Sequence, residues 1–150
     1  MKKLATLIVT GGAVALLAAA FAPAAALDTY TVSATLKNNT EVPRPKGATF
    51  ARGAFSGKYV EHGKTATLTW KLTFSRLTGA AVAAHIHAGK RGVAGPVLVP
   101  LCGPCRNGQV GKATINAKTI AAIEGGKAYV NVHTAKNMAG EIRGQIAAKG

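Results

Sequence analysis

The chain has 150 residues, with 19 Lys and Arg against 5 Asp and Glu, giving a formal charge of +14 at pH 7. So few carboxylates leave little material for paired-acid catalysis. The cations are scattered, without a run of five or six, and aromatic residues make up only 5%, so a specific nucleic-acid site is not expected.

Lys2 and Lys3 precede an apolar run from Leu4 to Phe21, and Ala24-Ala25-Ala26 follows Pro23. This is the pattern of a cleavable export leader, and cleavage after Ala26 is expected. The run is roughly 18 residues against the usual 20 of a membrane span. Gly11, Gly12 and many alanines weaken it further, so no stable span is expected after processing. Residues 27–150 then form one domain, secreted or periplasmic, and removal of Lys2 and Lys3 leaves it strongly basic. Attraction to anionic surfaces follows from the charge alone.

Alternation dominates from residue 30 onward. Tyr30, Val32, Ala34 and Leu36 share one face of a strand ending at Lys37. A long turn with Pro43 and Pro45 leads to a second strand region over 49–59, in which Gly53 and Gly57 mark bulges or close contacts. His62-Gly63-Lys64 is a polar turn that leaves His62 in solvent. The clearest strand runs from Thr65 to Phe74, with Ala66, Leu68, Trp70, Leu72 and Phe74 on one face, which assigns Trp70 to the core. Further strands are expected over 81–87, 97–99, 109–115, 127–133 and 141–147. The segment 118–123 is the one helical candidate, capped by Asn116 and ended by Gly125. About eight strands at this spacing define an all-β antiparallel sandwich or barrel.

Cys102-Gly103-Pro104-Cys105 has the spacing of a redox dithiol, yet no helix follows to activate the first thiol. In an exported protein a structural disulfide between Cys102 and Cys105 is expected. So small a loop contributes about 2 kcal/mol in the chain-entropy model.

Three of the four histidines lie in two strand segments. His85 and His87 share a face, with Ile86 opposite, and His133 alternates against Val130 and Val132. If the strands are neighbours, three imidazoles converge as a candidate copper or zinc site. The alternative is a framework role, the rings bonding to backbone carbonyls or to Asn131 and pinning the Gly-rich loop that starts at Gly89. No Asp lies nearby to orient an imidazole, since Asp28 is the chain's only one.

No catalytic set assembles from the remaining residues. Ser33, Ser56 and Ser75 lie inside strand patterns, and the acids Asp28, Glu41, Glu61, Glu124 and Glu141 are far apart in sequence. Glu141, Arg143 and Gln145 fall on one strand face and, with Asn131, form a candidate polar binding face. Arg143 could instead pair with Glu141 or Glu124, a weak structural contact if exposed.

Four blocks in order, His85-Ile86-His87-Ala88-Gly89, Gly92-Val93-Ala94-Gly95-Pro96-Val97, Ala128 to Thr134, and Gly140 to Gln145, resemble the CHRD (chordin) domain. The likeness extends over roughly Tyr30 to Ile146; the turn Asn137-Met138-Ala139-Gly140 departs slightly from the family's form. It implies an immunoglobulin-like β-sandwich in a secreted protein that acts as a non-enzymatic binding or surface-associated module. The ligand of animal chordin, a bone morphogenetic protein, does not transfer to a single-domain chain of this kind, and the partner is left as an extracytoplasmic protein or anionic surface. The His-Ile-His segment is also similar, over a few residues only, to the copper-binding strand of copper–zinc superoxide dismutase. The other metal ligands of that enzyme have no counterparts here.

Overall fold

A computed structural model describes residues 27–48 and 50–150; the expected leader, 1–26, lies outside the described residues. Nine strands carry the fold: β1 (Thr29–Lys37), β2 (Arg52–His62), β3 (Thr65–Ser75), β4 (Ala81–Ala88), β5 (Val97–Cys102), β6 (Gln109–Asn116), β7 (Ala128–Thr134), β8 (Ile142–Gln145) and β9 (Ala147–Lys149). One helix, α1 (Ala117–Glu124), sits between β6 and β7.

Every strand pair is antiparallel, and the hydrogen-bonded order is β5-β4-β7-β8-β1-β2-β3-β6, with β9 added beside β1. The all-β antiparallel expectation therefore holds. The sheet is nearly closed and barrel-like, because its two end strands, β5 and β6, come back into contact. Strand β1 meets β8 through the single register pair Lys37 and Arg143. There the chains run so close that a Cβ on Gly144 would lie 2.4 Å from Thr35 O.

The alternating faces predicted from sequence point where expected. Val32, Ala34, Leu36, Phe55, Tyr59, Leu68, Trp70 and Leu72 fill one core with Ile86, Val130, Val132 and Ile142 from the other half. The glycines in β2 are close contacts: a Cβ on Gly57 would lie 2.2 Å from Thr69 O and 3.1 Å from Trp70 Cα. Helix α1 forms as anticipated, with the Asn116 side chain accepting from Thr119 N at 3.0 Å. Ile120 and Ile123 are buried and close one end of the core. Each fully buried aliphatic side chain of this kind contributes about 2 kcal/mol.

Cys102 and Cys105 are disulfide-bonded, with Cα atoms 5.2 Å apart. Cys102 ends β5 and a turn follows it, and the Cys105 N–H bonds to Ala81 O, so the link ties the β5 end to the start of β4. His62 ends β2, exposed.

Candidate functional site

Strand β7 is buried along its whole length. Ala128, Val130 and Val132 face the core, so the opposite face, with Tyr129, Asn131 and His133, must be covered by something other than the sheet. Register places His87 beside Tyr129, His85 beside Asn131, and Arg143 of β8 on the other side of Asn131. These residues form a polar layer outside the main core.

Three segments cover it. The loop between β4 and β5 is held by Arg143 Nη2, which donates to Lys90 O at 3.0 Å and Val93 O at 2.9 Å. Gln145 Nε2 donates to Gly89 O, and Gly95 N donates to the Tyr129 hydroxyl. The β7–β8 turn is held through Asn137, whose N–H bonds to Thr134 and whose Oδ1 accepts from Lys46 N at 2.7 Å. The segment between β1 and β2 brings Glu41 against Gly140 and Asn131, where it is 3% exposed.

The three imidazoles meet in this layer. Ring centroids are 4.9 Å apart for His85 and His133, 5.5 Å for His85 and His87, and 6.1 Å for His87 and His133. One nitrogen from each lies within 4.8 Å of the other two. The register of β4 slips against β5 between Ala84 and His85 and again between Ile86 and His87, irregularities of the kind that re-aim side chains.

The hydrogen bonds fix the tautomers of two rings. His87 Nδ1 is 2.8 Å from Gly95 O and His133 Nδ1 is 2.9 Å from Met138 O. A carbonyl only accepts, so both Nδ1 atoms carry the proton and both Nε2 atoms present lone pairs. His133 Nε2 in turn lies 3.0 Å from His85 Nδ1, which donates to it. His87 Nε2 is buried and has no partner. His87 also stacks on Tyr129 at 5.0 Å and 10°, and the Arg143 guanidinium lies 3.3 Å from the Tyr129 ring centroid.

Electrostatics favour the neutral rings. Burial lowers the pKa of all three. Neighbouring imidazoles depress His85 and His133 further and the Arg143 charge depresses His87, while the Gly95 carbonyl and the Asn131 side chain oppose the effect at His87 and the Met138 carbonyl opposes it at His133. Burial also raises the Glu41 carboxyl to about 7, against the Val42 N–H and the Arg143 charge. Glu141 is different. Burial pushes its pKa up, but hydrogen bonds from Thr134, Thr78 and Asn137 prevail and hold it below the usual carboxylate range.

The sequence-derived polar face is thus present but buried. Asn131, Glu141 and Arg143 are 2%, 0% and 2% exposed, and Gln145 is half-buried. Arg143 bonds to loop carbonyls instead of Glu141 or Glu124; Glu124 takes the Tyr59 hydroxyl at 2.8 Å. Glu41, Thr78, Asn137 and Tyr129 were not singled out from sequence as site residues. Glu41 and Thr78 sit in turns without periodicity, and only Tyr129, in phase with His133, carried a signal.

The described residues therefore define an all-β domain with an imidazole cluster roofed by loops. The comparisons with known proteins name its family: the CHRD domain matches over residues 32–146, and the chain belongs to it. The family is typically extracellular, and among the described residues no helix is long and apolar enough to cross a membrane. No curated protein and no solved structure matches the chain.

Proposed function

We propose that this CHRD domain is an exported, non-enzymatic binding module that holds a copper or zinc ion on His85, His87 and His133. Export rests on the leader pattern of residues 1–26 and on the family's usual location, secreted or periplasmic. The immunoglobulin-like classification is supported by halves of four and five strands that share one core and meet at a single register pair.

One observation carries the metal assignment: His87 Nε2 is buried without a hydrogen-bond partner, in a ring that has a nitrogen within 4.8 Å of a nitrogen of each of the other two imidazoles. A purely structural histidine has both ring nitrogens satisfied when buried, because an unmet polar atom costs about 1–3 kcal/mol. Here two Nδ1 protons are committed to carbonyls, the outer-shell arrangement that orients metal-bound histidines. With bonds of about 2.0–2.1 Å, tetrahedral nitrogen ligands are about 3.3 Å apart. The 3.0 Å pair of His85 and His133 is close to that edge, and a metal would sit there once the proton between them has moved to His85 Nε2. Three protein nitrogens leave a fourth position for water or a donor from a partner.

Titration of the metal-free protein with Zn²⁺ or Cu²⁺, followed by calorimetry, tests this assignment. We expect one ion per chain, little net proton release because the three rings are already neutral, and loss of binding in His87→Ala and His133→Ala. At a hundredfold excess over Kd, the bound ion should add about 2.7 kcal/mol of stability. An unchanged melting temperature with both metals would refute the site.

A further inference from the structure

The second inference concerns the outer face of the other half of the sheet and does not rest on the metal site. Antiparallel register aligns Lys149 of β9 with Thr31 of β1, Thr31 with Lys58 of β2, Lys58 with Thr69 of β3, and Thr69 with Lys112 of β6. Residues directly opposite share a face, so these five form one row across five strands, alternating Lys and Thr. All are exposed except Thr69, which is half-exposed. Successive lysines are two strand spacings apart, roughly 9.5 Å. The neighbouring row adds Ser33, Ser56 and Lys71, and a shallow concavity of about 610 Å³ lies between the rows.

Among the described residues this face holds no carboxylate. Glu41 and Glu141 are buried in the polar layer of the other half. Asp28, Glu61 and Glu124 gather about Tyr30, which points to the opposite side of the sheet. The lysine charge is therefore unopposed. The face presents no exposed aromatic platform: Tyr30, Phe55 and Tyr59 point inward, and Trp70, which lines the concavity, is only 5% exposed. Among its strands the one exposed large hydrophobic residue is Val110, too little to anchor the face in a lipid surface.

What it offers is regularly spaced cations interleaved with hydroxyls. Thr31 Oγ1 donates to Lys149 O at 3.1 Å and Thr69 Oγ1 to Lys58 O at 3.3 Å, which leaves the oxygen lone pairs free to accept from outside. We propose that this face binds a linear anionic polysaccharide laid across the strands. Its carboxylates or sulfates would meet Lys58, Lys112 and Lys149 about one disaccharide apart, and its hydroxyls would donate to Thr31 and Thr69.

The test uses fluorescently labelled polygalacturonate oligomers and dextran oligomers of equal length, with the full processed chain at two ionic strengths. Polygalacturonate should bind, more weakly at higher salt, and dextran should not. The variant K58T/K71T/K112T should bind at least tenfold more weakly. The variant K90T/K118T/K127T, which removes the same charge from other surfaces, should change affinity less than threefold. Threonine is at home in exposed strands, so the first variant should fold, and K58R/K71R/K112R should retain binding. Equal losses in the two threonine variants, binding of dextran, or tighter lysine-dependent binding to anionic phospholipid vesicles would each overturn the proposal.

Discussion

At the scale of single residues, Glu41 is the most consequential group outside the histidines. Its carboxyl is buried, one oxygen accepts from Val42 N, and the other has no partner. With a folded pKa of about 7 against 4.5, it keeps a proton that the unfolded chain releases between those pH values. Stability from this group is therefore fully present below pH 4.5 and declines toward pH 7, by about 3 kcal/mol in all. The three imidazoles act with the opposite sign. Held below 6.5 in the fold, they lose stability as pH falls from that value, because the unfolded chain takes up protons first. Denaturant unfolding of metal-free protein should separate the two. Glu41→Gln should gain on the natural chain by about 3 kcal/mol between pH 4.5 and pH 8. Parallel stability curves for the two proteins would show that Glu41 is ionised throughout.

At the scale of elements, strand pairing depends on side chains that are absent. Gly57 lies opposite Trp70, and a methyl group there would strike the Thr69 carbonyl oxygen, so β2 and β3 would have to separate. Gly57→Ala should cost about 2–3 kcal/mol, in the range of overpacked cores. Gly79→Ala, which meets no atom within 4 Å, should leave the denaturant midpoint unchanged. The same scale shows what could be read in advance. Period-two alternation gave β1 and β3 with their inward faces, and Asn116 gave the start of α1. The sequence pattern predicts one continuous strand from 141 to 147, whereas β8 and β9 flank Ile146 as separate pieces. β8 pairs along its length with β7 and meets β1 only at Arg143, whereas β9 pairs with β1 alone, a division set by strands distant in sequence.

At the scale of the whole molecule, charge segregation is the main feature. Two of the five acids are buried and three cluster about one tyrosine, so most of the surface carries positive charge without compensation. Such a surface repels itself in the compact state. Raising NaCl from about 20 to about 300 mM shortens the screening length from roughly 20 Å to under 10 Å. The melting temperature should rise by a few degrees, and a fall on adding salt would show that attractive pairs outweigh the repulsion.

The sequence by itself determined which side of each strand a residue occupies, because alternation is a property of the extended backbone. That was enough to put His85 and His87 on one face, to place Trp70 in the core and to pair Cys102 with Cys105. Only the tertiary structure decided that β7 is covered on both faces, which turned Asn131, Glu141 and Arg143 from a surface into a buried layer. It also decided that the carbonyls of Gly95 and Met138 take the Nδ1 protons and leave the Nε2 lone pairs of His87 and His133 available within the cluster. The reason is one of range: alternation is local, whereas burial of a face and the lone pair of an imidazole depend on loops that arrive from elsewhere in the chain.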